Sequence, residues 1–127
     1  MDVAIERMVG ITFLAIALSH LLRPREWGEF FDQLGAKGAP GAFFNGMLSL
    51  SLGALIVGFH GTQWSGWSGV VTFIGYAQVF KGFLHLCFPA YSLRSMGMVS
   101  AERHKKLALA GAVMLPMAVA MLYASVR

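Results

Sequence analysis

Charged side chains are scarce in this sequence, and the few that occur are unevenly distributed. Only 13% of the 127 residues are Asp, Glu, Lys or Arg, whereas about 25% is usual in soluble domains. Residues 38–80 carry no charge and neither do residues 82–93, so Lys81 stands alone inside a long apolar region. With 57% hydrophobic residues and a mean hydropathy of +0.64, the composition excludes a soluble domain and indicates an integral membrane protein.

Several groups that would carry familiar chemistry are also missing. The single cysteine, Cys87, excludes an intramolecular disulfide and a CxxC redox pair. The ten Lys and Arg residues are too scattered to form a nucleic-acid surface. The sequence has no Ser-His-Asp grouping, no paired carboxylates in its apolar stretches and no glycine-rich phosphate loop. An enzyme is therefore not the first interpretation.

Four stretches are long and apolar enough to cross a bilayer, whose core of about 30 Å requires about 20 residues of helix. They cover residues 4–22, 41–60, 68–88 and 104–125. Pro24 and Pro89 follow the first and third stretches, and Ser100 is the expected N-cap of the fourth. Pro116 lies inside the fourth stretch, where it predicts a kink.

These stretches predict an all-α fold, an integral membrane bundle of four transmembrane helices that forms a single domain over residues 1–127. The short connection 61–67 requires the second and third spans to be neighbours. Small residues allow close helix packing, and they form a face on the second span and part of one on the first. The two faces consist of Ala42, Gly46, Ser49 and Gly53, and of Glu6, Gly10, Phe13, Ala17 and His20.

Lys and Arg are concentrated in two of the three predicted connections. The connections carry Arg23, Arg25 and Lys37 in 23–40, and Arg94, Arg103, Lys105 and Lys106 in 89–106. The connection 61–67 carries none but contains Trp64 and Trp67, which are typical of a membrane interface. Because Lys and Arg are enriched in cytoplasmic loops, we expect a multi-pass protein of the bacterial inner membrane with both termini outside.

The first connection contains a predicted amphipathic interfacial helix over residues 24–35, closed by Gly35. Its apolar positions recur with helical spacing at Trp27, Phe30, Phe31 and Leu34. The other side carries the acids Glu26, Glu29 and Asp32, unlike the basic face of typical lipid-binding helices. The helix either lies on the membrane surface or packs beneath the bundle. A structural link that orients the next span is favoured over a docking platform or a lid.

Lys81 is the strongest functional candidate, because an ammonium inside a membrane span is unfavourable unless another group compensates it. On the third span Gly75, Gln78, Gly82 and His85 share one face, expected to point inward, with Lys81 at its edge. One interpretation is a lysine that is hydrogen-bonded or extends to the headgroups. The alternatives are an anionic ligand or lipid headgroup, a carboxylate of another subunit, or a lysine kept neutral by desolvation.

Histidine and asparagine provide further candidates near the cytoplasmic side. His20 and His85 are expected at similar depth on different helices, so they allow a b-type haem with two histidine ligands. Asn45 on the second span is placed to hydrogen-bond across helices. No spacing matches a zinc motif, and no other metal site or catalytic residue is predicted.

A resemblance to a known group is carried by residues 59–64, by Gly66-Trp67 and by several positions in and just after the third span. Those positions are Thr72, Gly75, Lys81-Gly82 and Pro89. This pattern, about a quarter of the chain, resembles uncharacterised small four-span bacterial inner-membrane proteins, loosely DoxX-like in architecture. The resemblance implies the topology and makes Lys81-Gly82 a motif position, but it supplies no activity. Tyr76 stands where the resemblance predicts Trp.

The leading functional hypothesis is a non-catalytic membrane subunit or scaffold. It would associate with itself or with a larger membrane complex through its small-residue faces, the interfacial helix and Lys81, and its surroundings would be the lipid bilayer. The competing hypothesis is a small carrier or ligand-binding bundle for an anion, a quinone or a proton-coupled solute, centred on Gln78, Lys81 and His85. A third is a b-type haem or quinone anchor. No cofactor is required by the first hypothesis.

Overall fold

The computed structural model describes residues 2–60, 64–97 and 104–126, and within these ranges the chain forms helices without strands. Six helices follow one another within these ranges. They are α1 (Asp2–Leu22), α2 (Pro24–Ala36), α3 (Ala39–His60), α4 (Gly66–Cys87), α5 (Pro89–Gly97) and α6 (His104–Ser125).

The four long helices α1, α3, α4 and α6 are each long and apolar enough to cross a membrane. Their bounds agree with the predicted spans to within two residues at every end. This confirms the all-α bundle of four transmembrane helices and its multi-pass architecture. Helix α6 continues through Pro116, and Ser100, the expected N-cap of this helix, lies outside the described residues.

The long helices are arranged as two closely packed pairs, α3 with α4 and α1 with α6. Glycine residues permit the helices of both pairs to approach each other closely. A Cβ atom added at Gly53 of α3 would lie 2.5 Å from the backbone nitrogen of Val79, and one at Gly111 of α6 would lie 2.8 Å from the carbonyl oxygen of Ala17. The predicted contact between the second and third spans is thereby confirmed, and their small-residue faces are buried inside the chain.

The two pairs meet at one end of the bundle, which we call the terminal end because α1 begins and α6 ends there. The main hydrophobic core lies toward this end and draws on all four long helices. Its buried members are Ile5, Val9, Phe13, Ile56, Val71, Ile74, Ala118 and Met121. At the opposite end, which we call the short-helix end, α2 and α5 contact each other and the long helices.

Helix α2 packs beneath the bundle, one of the two predicted arrangements. Leu34 is buried with Ala42 of α3, and Leu93 of α5 packs against them. The helix does not end at Gly35 as predicted: it continues to Ala36, and Gly38 adopts the positive φ of 69° that favours glycine. The positive φ therefore occurs three residues beyond the predicted closing glycine.

Helix α5 was not predicted. Pro89 indicated the end of the third span, but proline also suits the first turn of a helix, where the backbone N–H has no partner within the helix. Pro89 here opens α5 two residues after α4 ends at Cys87.

Candidate functional site

Lys81 lies on an exposed part of α4. Its side chain is exposed, whereas the neighbouring Gly82 is buried against Leu50 of α3. The inward face predicted from sequence does point inward, since Gly75, Gly82 and His85 are buried and Gln78 is half-buried. Lys81 is exposed at the edge of that face, one helical turn before His85.

His85 occupies the α3–α4 crossing, and its side chain is only 5% exposed. A Cβ atom added at Gly46 of α3 would lie 2.8 Å from the Cβ of His85, so the absence of a side chain at Gly46 makes room for the histidine. The Nδ1 atom of His85 lies 2.9 Å from the carbonyl oxygen of Lys81. Because a carbonyl oxygen only accepts, Nδ1 donates this bond.

Asn45 lies at the same crossing as His85. It is 8% exposed and directly precedes Gly46, the residue against which His85 packs. Ser49, one helical turn further along α3, is 6% exposed. Of the predicted site residues, the structure therefore buries Asn45 on α3 and His85 on α4, and leaves Gln78 half-buried two turns from His85.

His20 belongs to a different part of the molecule. It is 8% exposed and packs against Gly111 in the α1–α6 pair. Its Nδ1 donates to the carbonyl oxygen of Ile16 at 2.8 Å, and its ring stacks on Trp27 with centroids 4.4 Å apart. His20 and His85 thus share the same hydrogen-bonding mode but are packed in separate helix pairs.

Trp27 of α2 forms one wall of a groove where α1 ends and α2 begins. The groove has a volume of about 320 Å³ and is lined by Ser19, Arg23, Glu26, Trp27 and Phe30. Trp27 is fixed in this wall for two reasons. Its Nε1 donates to the hydroxyl of Ser19 at 2.6 Å, and its ring is stacked on the ring of His20. Arg23 and Glu26 pair at 3.6 Å with side chains that are 72% and 60% exposed.

The remaining predicted residues of the interfacial helix serve mainly to attach it. Leu34 is 6% exposed, Phe31 is half-buried against Leu34 and Ala42, and Phe30 is 36% exposed at the edge of the groove. Glu26, Glu29 and Asp32 are all exposed, and Glu26 lines the groove beside Trp27 and Phe30. The amphipathic pattern therefore predicted which side of α2 packs against the bundle.

A buried polar cluster at the terminal end was missed by the sequence analysis. The hydroxyl of Ser68 donates to Glu6 Oε1 at 2.5 Å, and the carbonyl oxygen of Ser68 accepts from His60 Nε2 at 3.0 Å and from Thr72 Oγ1 at 2.9 Å. Glu6 is 9% exposed, and His60 and Thr72 are each 1% exposed. These bonds join α1, α3 and α4. The residues were visible in the sequence, but only the register of α1 against α3 and α4 brings them together.

Within the described ranges, no group of three or more His, Cys, Asp or Glu residues is placed to hold a metal ion. Comparisons with known protein families, curated proteins and solved structures gave no match to this chain.

Proposed function

We propose that this protein is a non-catalytic integral membrane subunit, and that a larger membrane protein docks on the outer surface of α4. The observation that carries the proposal is the placement of Lys81. An ammonium group is exposed within a helix long and apolar enough to cross a membrane, where lipid chains offer it no partner.

The chain itself supplies no described carboxylate to compensate Lys81. Within the described residues, Glu6 is the acidic residue that lies in a candidate span. It is at the terminal end and accepts the hydrogen bond of the Ser68 hydroxyl. Glu26, Glu29 and Asp32 are on α2, outside the spans. Lys81 precedes the last residue of α4, Cys87, by six positions, which is about 9 Å of helical rise. A lysine stem covers part of this distance, and a carboxylate from a partner helix would compensate the charge directly.

Other exposed parts of α4 also have the composition of a protein contact. Phe73, Tyr76, Phe80 and Phe83 are all exposed on α4, with exposures of 65%, 42%, 62% and 52%. Aromatic residues are enriched in protein interfaces, where they bury large areas. The small-residue faces that the sequence suggested as association surfaces are already filled by contacts within the chain. The outer surface of α4 is therefore the better docking surface.

The carrier hypothesis requires Gln78, Lys81 and His85 to act on one solute. His85 follows Lys81 by one helical turn, but His85 is buried against α3 and Lys81 is exposed, so a single solute would not reach both side chains equally. The haem hypothesis requires His20 and His85 to face a common ligand, yet the two histidines pack in different helix pairs. Docking of a partner protein explains the exposed charge of Lys81 and requires neither a shared solute site nor a shared haem.

The proposed setting is the bacterial inner membrane, with the short-helix end toward the cytoplasm and both termini outside. Support comes from Arg23, Arg25, Lys37 and Arg94, which all belong to α2, α5 or their connections. Positive charge of this kind is typical of the cytoplasmic side. A likeness to DoxX-like small membrane proteins, with Lys81-Gly82 as a motif position, is part of the same proposal.

The test is affinity purification of tagged protein from its native membranes in mild detergent. We expect Lys81→Met and Lys81→Glu to lose a specific co-purifying membrane protein, while Lys81→Arg retains it because the charge is preserved. Lys106→Met is the matched control, since Lys106 is exposed near the start of α6. Equal thermal stability of the four variants would show that the bundle itself is intact.

The decisive step is a charge exchange. Once a partner is identified, replacement of its transmembrane carboxylate by Lys should rescue Lys81→Glu. If Lys81→Met and Lys81→Glu retain every partner of the wild-type protein, docking through Lys81 is wrong and the lysine only extends to the headgroups.

A further inference from the structure

The groove beside Trp27 combines a fixed aromatic wall with a pair of opposite charges at its rim. Trp27 is fixed by Ser19 and by His20, so the wall is preformed. Arg23 and Glu26 are both largely exposed at 3.6 Å from each other. An exposed pair of this kind contributes little to folding and is easily opened by competing ions. Both charges are therefore accessible to a ligand in the groove.

The position of the groove indicates where such a ligand would come from. The first candidate span ends at Leu22, and Arg23 and Glu26 follow it directly. The groove thus lies at the depth where the hydrocarbon core meets the headgroups, and tryptophan is typical of this level. Phospholipid headgroups are the most abundant ligands there.

We propose that this groove binds the headgroup of a phospholipid that carries both a phosphate and a primary ammonium, as phosphatidylethanolamine does. The guanidinium of Arg23 binds the phosphate, for which its planar set of donors is well suited. The carboxylate of Glu26 accepts hydrogen bonds from the ammonium, which lies against the faces of Trp27 and Phe30 as a cation on aromatic rings.

Charge complementarity selects this class of lipid over the others. In an ethanolamine headgroup, two carbons separate the oxygen of the phosphate ester from the nitrogen, so both charges fit a rim whose own charges are 3.6 Å apart. A lipid with phosphate alone would leave Glu26 facing an anion. A bulkier quaternary ammonium cannot donate a hydrogen bond to the carboxylate.

A second groove on the other side of Phe30 provides an internal comparison. It has a volume of about 420 Å³ and is lined by Phe30, Gln33, Leu34, Lys37, Pro40, Gly41 and Phe44. Lys37 is the charged residue in its lining, which contains no acid. This second groove therefore offers no reason to prefer ethanolamine.

The test measures lipid binding to the purified full-length protein by native mass spectrometry. The probes are phosphatidylethanolamine, phosphatidylglycerol and phosphatidylcholine with identical dioleoyl chains. We expect wild-type protein to prefer phosphatidylethanolamine over each of the others by about fivefold, as expected for one exposed charge contact. Circular dichroism and elution volume compare the folding of every variant.

Four variants locate the site. Arg23→Gln should weaken both phosphatidylethanolamine and phosphatidylglycerol, whereas Glu26→Gln should weaken the first and strengthen the second, so that the preference disappears. Arg25→Gln, which removes an exposed charge outside the groove, and Lys37→Gln should behave as wild type. A variant that is merely misfolded would lose all three lipids together.

Three results would overturn the proposal: a wild-type protein that does not distinguish the lipids, an unchanged preference in Glu26→Gln, or an equal loss in Arg25→Gln or Lys37→Gln. The inference is independent of docking through Lys81, because Lys81 does not line the groove.

Discussion

At the terminal end of the bundle, Glu6, His60 and Ser68 are joined by short hydrogen bonds and are largely withdrawn from the surface. At the short-helix end, Arg23 and Glu26 are exposed around an open groove, and Lys37 lines a second groove. The two ends carry similar kinds of side chain. They differ in whether those side chains bond to one another or remain accessible to other molecules.

The way in which the helices pack at each end explains this difference. At the terminal end, the two helix pairs meet directly around the main hydrophobic core, so polar groups on facing helices are buried and must bond to each other. At the short-helix end, α2 and α5 contact the ends of the long helices. The junctions at α2 leave grooves instead of a continuous core. We infer that the terminal end holds the fold together and that the short-helix end and the outer surface of α4 contact other molecules.

The largest expected effect comes from separating α3 and α4, the pair that connects the two ends. Gly53→Ala places a Cβ atom 2.5 Å from the backbone nitrogen of Val79 and 2.8 Å from the carbonyl oxygen of Gly75. Because these atoms belong to the backbone, the helices must move apart, and we expect a loss of about 3 kcal/mol in the free energy of unfolding. Reversible unfolding in mixed micelles measures it.

Gly58→Ala is the matched control on the same helix. A Cβ atom at Gly58 meets nothing within 4 Å, and alanine stabilises a helix by up to about 1 kcal/mol relative to glycine. This variant should be at least as stable as the wild type. Equal losses in the two variants would contradict the role assigned to close α3–α4 packing.

The sequence was sufficient to predict the features that depend on composition and helical spacing. The bounds of α3 and α6 follow from the length of apolar chain needed to cross a bilayer. The small-residue face that contains Gly46 and Gly53 is buried as expected. The side of α2 that packs against the bundle was also predicted, because Leu34 and its apolar neighbours recur with helical spacing.

Features that depend on how helices are positioned against each other could not be predicted in this way. Helical spacing placed Lys81 at the edge of a polar face, but only the position of α3 decides that Gly82 is covered and Lys81 is exposed. Likewise, Glu6 and Ser68 are 62 residues apart and meet through tertiary packing. Helix α5 was missed because Pro89 was interpreted only as the end of a helix.

A second prediction concerns the terminal end alone. Ser68→Ala removes the hydroxyl that donates to Glu6 Oε1 and leaves a carboxylate that is 9% exposed without this donor. We expect the free energy of unfolding to fall by about 2 kcal/mol, the usual effect of removing one partner from a buried hydrogen bond. The same micelle unfolding measurement applies.

Ser65→Ala is the control for this prediction, since Ser65 is exposed and precedes α4. It should leave stability unchanged. If Ser68→Ala is equally neutral, the terminal cluster does not hold α1 against α4, and the contrast between the two ends of the bundle is lost.

The smallest expected effect is at the short-helix end, where Trp27 donates its bond to Ser19. Trp27→Phe keeps an aromatic ring on His20 but removes the donor, and we expect a loss of about 1 kcal/mol. Ser19→Ala removes the same bond from the acceptor side. Because one bond cannot be lost twice, the double variant should be clearly more stable than the sum of the two single losses predicts. Purely additive losses would show that the bond does not fix Trp27, and the groove would then lack the preformed wall that distinguishes it from an ordinary surface depression.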